Sequence, residues 1–249
     1  MKRLQYLFLL FLFCGKAYAQ PFDTIRVPQA GGWEMMQVRG NNNILAEGYL
    51  HDKVREGTWS NFWDTGFPKE VTNYLHGEKH GVYLKTGQDG FVEQMEYYSR
   101  GKLNGPCRRY NKGAFILEET YYSEGKKQGS YNKWYINGRK QEQSFYNKDE
   151  RDGKTTWYYE NGNIAAEYQY KMGKLDGPTA TYNAQGKPEE SGQYINDVQA
   201  GEWKEFYGNG QVKAQGRYAD GGKTGAWKQF SEEGKALPSL NYIKGELKK

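Results

Sequence analysis

Residues that carry most enzyme chemistry are scarce in this chain. Its 249 residues include two cysteines, Cys14 and Cys107, and three histidines, His51, His76 and His80. No cysteine pair has metal-ligand spacing, and there is neither a Gly-x-Ser-x-Gly nucleophile turn nor a Walker loop. The stretch His76-Gly77-Glu78-Lys79-His80 has the i, i+4 spacing of a zinc pair on a helix. Gly77 marks a turn there, so the reading is a solvated loop. The carboxylates Glu93, Glu118, Glu142 and Glu190 read as solvated strand positions, not as an acid–base pair. The expectation is a protein that is not an enzyme, with no catalytic residue, no metal and no cofactor. Helical periodicity is missing as well, since apolar residues never recur at i, i+3, i+4 over a long window. The apolar run Leu7–Phe13 is too short to span a bilayer.

That run belongs to a segment, residues 1–19, that reads as a secretory signal peptide. Lys2 and Arg3 form its basic start, and Ala17-Tyr18-Ala19 is a small-x-small cleavage site that leaves Gln20 first. Cys14 raises lipoprotein anchoring as the alternative, but the bulky Phe13 before it suits that processing poorly. Cleavage removes Lys2, Arg3 and Lys16, which lowers the formal charge from +5 to +2. Nothing then argues for nucleic acid. Cleavage also leaves Cys107 without an intramolecular disulfide partner. The expected location is secreted, periplasmic or otherwise in the cell envelope.

What the chain has in abundance is glycine, 32 residues, and aromatics, 16% of the total. They fall on one beat. Tyr74, Tyr98, Tyr122, Tyr146, Tyr170, Tyr194, Tyr218 and Tyr242 recur every 24 residues. Gly57, Gly81, Gly105, Gly129, Gly153, Gly177, Gly201 and Gly225 keep the same period. Such periods signal a repeat architecture. Residues 57–249 are eight repeats, and residues 20–56 are a degenerate lead-in and cap in which Gly31-Gly32-Trp33, Gly40 and Gly48-Tyr49 echo the repeat out of phase.

Each repeat is numbered here from its first glycine, 1 to 24. Position 3 is aromatic in Trp59, Tyr83, Tyr131, Trp203 and Trp227, and is Cys107 in repeat three, where the small side chain reads as packing and not as a nucleophile. Position 10 is glycine in seven repeats of eight, often after Asn or Asp, and position 21 is glycine in six. Asn-Gly between aromatic and β-branched residues signals a hairpin with a two-residue type I′ turn. The spacing therefore predicts a type I′ turn at positions 9–10 and a second loop at 21–24. The fold class is all-β: an elongated, twisted, single-layer antiparallel meander of about 16 strands, built of stacked hairpins.

Cross-strand partners share a face. This scheme puts positions 3, 7, 12 and 18 on one face, including Trp59, Trp63, Ile164, Trp203, Tyr207 and Val212. Each ladder tyrosine should pack on the position-3 residue of the next repeat, as Tyr122 on Tyr131, Tyr194 on Trp203 and Tyr218 on Trp227. The tyrosines and the position-1 glycines are read as structural. The second face, richest in repeats one to four, is the candidate contact surface: Phe62, Phe67, Phe91, Tyr97, Tyr110, Phe115, Tyr121, Trp134 and Phe145. Exposed apolar patches of that kind mark contact sites.

The unit Gly201-Glu202-Trp203-Lys204-Glu205-Phe206-Tyr207-Gly208-Asn209-Gly210, followed by Gly216-Arg217-Tyr218, resembles the MORN-repeat variant, the repeat of YwqK-type proteins described as antitoxins. The resemblance runs from Gly57 to Lys249 and more weakly through the lead-in. It implies stacked β-hairpins in an extended sheet, roles in scaffolding, protein contact or lipid contact, and no catalytic site. The expected function is a non-enzymatic scaffold that binds a protein partner in the cell envelope. The alternatives are a glycan or cell-wall binder, an antitoxin or immunity-type protein, and a peripheral membrane-contact protein.

Overall fold

The structure, a computed structural model, describes residues 22–41 and 43–248. The leader, with its cleavage site at Ala19 and with Cys14, lies outside the described residues. Among the described residues there are 22 strands in one antiparallel sheet, with no α-helix and one three-residue 3-10 turn at Ala30–Gly32. Sixteen of these are the expected strands of the eight repeats. The others are three strands of the lead-in, two short pieces split off at bulges, and a final pair of residues, Glu246–Leu247. Each full-length strand pairs with its neighbours in sequence, so the topology is an unbroken meander.

The two turns are exchanged relative to the expectation. The type I′ turn lies at positions 20–21, not 9–10. His76 and Gly77 have φ of 51° and 83°, Asn196 and Asp197 have 48° and 67°, and the flanking residues pair directly, as in Leu75 with Glu78. Both left-handed residues define that turn type. Positions 7–11 form a wider loop. The Gly66 amide donates to the Trp63 carbonyl and the Trp63 amide to the Phe67 carbonyl, and only Gly66 is left-handed. This is a type I turn followed by a glycine bulge. Repeat three places its glycine one residue early, at Gly113, and Ala114 at position 10 takes the left-handed conformation instead, with φ 61°.

The asparagine before the position-10 glycine acts between hairpins as well as within its own. The Asn161 side-chain amide donates to the Ala184 carbonyl of the next repeat, and that of Asn209 donates to Glu232. Position 7 reaches one repeat forward too: the hydroxyls of Tyr135, Tyr159 and Tyr207 each donate at 2.8 Å to the position-6 carbonyl of the following repeat. The Trp63 indole does the same to Thr86. These side chains bond the loop edge of each hairpin to the next.

Each repeat also carries a bulge at its first glycine. Tyr74 pairs with Lys79 and Thr72 with Tyr83, so His80, Gly81 and Val82 oppose the single residue Asn73. The bulged backbone is left-handed or beyond, with φ reaching 130° at Gly177, where an added Cβ would also lie 2.8 Å from the Gln169 side chain. Only glycine is at ease there. Bulge and loop together set the faces. Positions 1, 3, 5, 14, 16 and 18 share the ladder face, and positions 2, 4, 6, 12, 15 and 17 share the other. Position 12 therefore leaves the face first assigned to it: Ile164 pairs with Tyr158 and Val212 with Phe206, because a second bulge at position 13 shifts the register by one.

A single-layer sheet must bury its core against its own backbone. Wherever position 3 is tryptophan, position 16 of the preceding repeat is glycine: Gly48 under Trp59, Gly192 under Trp203 and Gly216 under Trp227. A Cβ on any of these glycines would lie 2.2–2.5 Å from the indole. The rings lie flat on the bared strand, and each indole N–H donates to the carbonyl of Tyr49, Gln193 or Arg217 respectively. Trp227 is 0% exposed and Trp203 is 3% exposed. The smaller Tyr83 and Tyr131 stand opposite Thr72 and Thr120. Gly48 also corrects the reading of the lead-in. It lies at position 16 of a preceding repeat, and the left-handed pair Asp52-Lys53 lies at positions 20–21, so the second half of the lead-in is in phase.

Ala114→Gly should relieve left-handed strain and stabilise the protein by about 0.5–1 kcal/mol, seen as a raised urea midpoint. Gly216→Ala should lower it by about 1–3 kcal/mol because its methyl group overlaps Trp227. An unchanged midpoint for Gly216→Ala would refute the ring-on-glycine account.

Candidate binding faces

The ladder face begins with the tyrosines at position 18. Tyr194 and Trp203, Trp203 and Tyr218, and Tyr218 and Trp227 are edge-to-face pairs with ring centroids 5.4 Å apart. Each such tryptophan thus stands between two ladder tyrosines, a favoured aromatic geometry. Tyr131 packs edge-on against Tyr146 at 5.9 Å, and Tyr83 against Tyr98 at 6.3 Å. The tyrosine does not face position 3 across a strand pair, as the expected turns would have had it. Tyr74 pairs with Gly57 and Lys79, and the aromatic contacts run diagonally.

A row of cations is threaded through these rings, all from position 23. Lys79 Nζ lies 4.5 Å from the Tyr83 ring and 4.8 Å from Tyr98. Lys127 stands likewise between Tyr131 and Tyr146, Lys223 between Trp227 and Tyr242, and Arg55 between Trp59 and Tyr74. Arg151 meets Tyr146, Trp157 and Tyr170. Partly buried cation–π contacts of this kind contribute on the order of 1 kcal/mol each. The sequence reading missed this row. Its signal was the recurrence of Lys or Arg two residues past the second turn, hidden because other repeats carry Leu103, Leu175, Gln199 and Leu247 there.

Carboxylates complete the ladder face. Glu142, expected to be solvated, is only 9% exposed; it accepts hydrogen bonds from Arg151 at 2.8 Å and from Ser144 at 2.6 Å. Burial pulls the Arg151 guanidinium down, but the Glu142 carboxylate outweighs it and leaves the pKa raised. Glu205 does the same for Lys223. The Tyr83 hydroxyl donates to Glu70 and that of Tyr98 to Glu96. Burial, and then these carboxylates, push both phenols above their ordinary value, and burial beside Glu118 and Glu142 does so for Tyr131. Burial raises the Cys107 thiol from 9.0 to about 11. It is therefore protonated at neutral pH, and a protonated thiol is a poor nucleophile.

The nine residues of the expected contact surface do not fall in one row. Phe62, Tyr110 and Trp134 stand at position 6, paired with Pro68, Ile116 and Lys140. Tyr97, Tyr121 and Phe145 stand at position 17 of the same face and lie over the bulge glycines Gly105, Gly129 and Gly153. Phe67, Phe91 and Phe115 are on neither sheet face. They follow the wide loop at position 11, where the bulge takes the chain out of the strand alternation; Phe67 lies over Gly90 of the next loop. Trp63 and Tyr207 leave the ladder face for this loop edge as well. His76 sits in the type I′ turn beside Glu56, at 3.7 Å. No group of three or more His, Cys, Asp or Glu side chains able to hold a metal occurs among the described residues.

A family model described as MORN repeat variant matches residues 151–172 and 199–220. The chain carries MORN repeat variants at these two places. Both windows run from position 23 to position 20, so the MORN unit is one hairpin cut at its type I′ turns. MORN repeats are generally protein- or membrane-binding modules, and the repeat is a non-enzymatic type. No curated protein matches the chain.

Two outcomes test the electrostatics of the ladder face. Groups whose pKa is raised on folding hold their protons more tightly in the folded state, so the stability they confer is complete below the unfolded pKa and is lost as pH rises. Melting temperature should hold up to about pH 9 and fall beyond it as Cys107 and then the tyrosines titrate, more shallowly in Tyr83→Phe and Tyr98→Phe. Thr155 is 1% exposed and its hydroxyl has no partner among the described residues. Thr155→Val should therefore raise stability by about 1 kcal/mol in urea melts.

Proposed function

We propose that this chain is a secreted, non-enzymatic scaffold of the cell envelope that binds a protein partner through the second face of repeats one to four. One contrast carries the reading. In repeat two the cross-strand pairs on that face are Val82 with Tyr97, Leu84 with Met95, and Thr86 with Val92. In repeat seven the equivalent pairs are Glu202 with Arg217, Lys204 with Gln215, and Phe206 with Val212. On this face repeat two is uncharged and apolar and repeat seven ionic, and in repeat three the Arg108–Glu119 pair stands among apolar neighbours. Tyr97, Tyr121 and Phe145 extend the apolar part, and Phe67 and Phe115 continue it around the loop edge, Phe115 being 65% exposed. Apolar surface with aromatic anchors suits a protein partner.

The glycan alternative loses its main support. The tryptophans that would stack on sugar rings, Trp59, Trp203 and Trp227, are buried within the protein. The ladder face is occupied by its own cations, whereas Phe145 on the second face is 40% exposed.

The test is affinity capture of the full mature chain against envelope extract, run beside sedimentation with peptidoglycan and with liposomes. A stoichiometric protein partner should be retained by Lys204→Ala and lost, at unchanged melting temperature, by Tyr97→Ser combined with Phe145→Ser. Retention by the double variant, or sedimentation only with polysaccharide or only with lipid, would overturn the reading.

A further inference from the structure

The ladder is filled by the chain's own side chains at almost every junction between repeats. Five junctions hold a cation from position 23 against the next ladder tyrosine. Between repeats five and six Thr179 is small, but Tyr168 fills the space, 6.4 Å from Tyr194. Between six and seven Trp203 fills it. Repeats two and three differ. Position 23 is Leu103 and position 3 is Cys107, so both the cation and the ring are replaced by shorter uncharged groups. A recess of about 110 Å³ opens there, lined by Leu103, Cys107, Thr120, Tyr122, Glu96 and Glu118.

Its charges are unevenly matched. Glu118 is met by Arg109 at 3.5 Å, but that arginine side chain is 68% exposed at the rim. Arg108, which also borders the recess, turns its guanidinium to Glu119 at 2.6 Å. Glu96 accepts hydrogen bonds only from neutral donors among the described residues, the Gln94 amide and the Tyr98 hydroxyl. In the junction before it, the same space holds Lys79 between Tyr83 and Tyr98, and the Tyr83 hydroxyl donates to Glu70.

We propose that this recess is a binding site for an alkylammonium group, with the charged head between Glu96 and the Tyr122 ring and the apolar stem against Leu103 and Cys107. The site reproduces for an external amine what Lys79, Lys127 and Lys223 make within the chain. A carboxylate and an aromatic face are the two groups that recognise such a head. The volume suits a short amine, since it is below the roughly 150 Å³ that accommodates benzene. The amine is either a free one or a lysine side chain of a bound polypeptide, and the chemistry is the same.

Cys107 lies in the recess and reports on it. The full chain is treated at constant ionic strength with methyl methanethiosulfonate, and modification of Cys107 is followed by peptide mass spectrometry. n-Butylammonium should slow modification with a half-effect on the order of 1–10 mM, and n-butanol should not. Glu96→Gln should raise the half-effect concentration at least about fivefold. Leu103→Lys, which supplies an internal ammonium, should abolish the response to amine. This second variant keeps the test decisive if Glu96→Gln fails to fold. Protection by N-acetyl-lysine methylamide as well as butylammonium assigns the site to a lysine side chain; protection by butylammonium alone assigns it to a free amine. No protection up to about 100 mM, equal protection by butanol, or an unchanged response in folded Glu96→Gln would overturn the proposal.

Discussion

A sheet one layer thick has no second layer to cover it, and the rest of this structure follows from how that constraint is met. Apolar surface can leave water only by lying flat on the strand beside it. A tryptophan does this where the neighbouring strand presents glycine, as Trp203 does on Gly192 and Trp227 on Gly216. The gain is the apolar area removed from water, at about 25 cal/mol per Å². The indole N–H would cost free energy if buried unpaired, and the carbonyl at position 17 receives it. Ring, glycine and carbonyl form one unit, and the diagonal contact with the ladder tyrosines passes that unit on to the next repeat.

Position 23 then has a defined task. Each ladder tyrosine turns one ring face toward the strand end beside the type I′ turn, and a lysine or arginine stem can cover that face while its charge meets the π system. A carboxylate at position 14, as in repeat four, or at position 5, as in repeat seven, balances the charge. Glu142 with Arg151 and Glu205 with Lys223 are the examples with the shortest contacts. Where side chains at positions 3 and 23 both shrink, as at Cys107 and Leu103, the stack keeps its backbone spacing because the turns and strand ladders maintain it. The space therefore stays open instead of collapsing. The structural regularity of the repeat turns one sequence irregularity into a recess.

The two faces divide the molecule differently along its length. The densest core, Trp203, Ala214 and Trp227 with Tyr194, Tyr218 and Tyr242, lies in the last repeats. The apolar second-face pairs of repeat two lie towards the other end. The same sheet thus combines well-packed tryptophan junctions with exposed apolar side chains towards both ends, among them Phe67, Phe115, Leu237 and Ile243. Proteins of this architecture are quasi-one-dimensional, each repeat contacting only its neighbours, so such a division does not compromise the whole.

Much of this was legible in the chain itself. The 24-residue period of tyrosine and glycine sufficed for an all-β meander of hairpins, because hydrophobic periodicity and turn residues are local signals. The pairing of small with large across positions 16 and 3 is also written in the chain. What it could not reveal was which glycine makes which turn. Asn-Gly at positions 9–10 signals a type I′ hairpin, yet the wider loop is favoured because Asn161 and Asn209 then reach the next hairpin, a contact that exists only once hairpins are stacked. That exchange moved Ile164 and Val212 to the other face and took Phe67, Phe91 and Phe115 off the sheet, since a one-residue slip inverts every side chain beyond it. The sequence by itself determined the repeat, the strands and the aromatic ladder, all of which depend on residues near one another in the chain. The tertiary structure alone decided the register, the row of cations between the rings and the recess at Cys107, because each depends on what the neighbouring repeat places within a few ångströms.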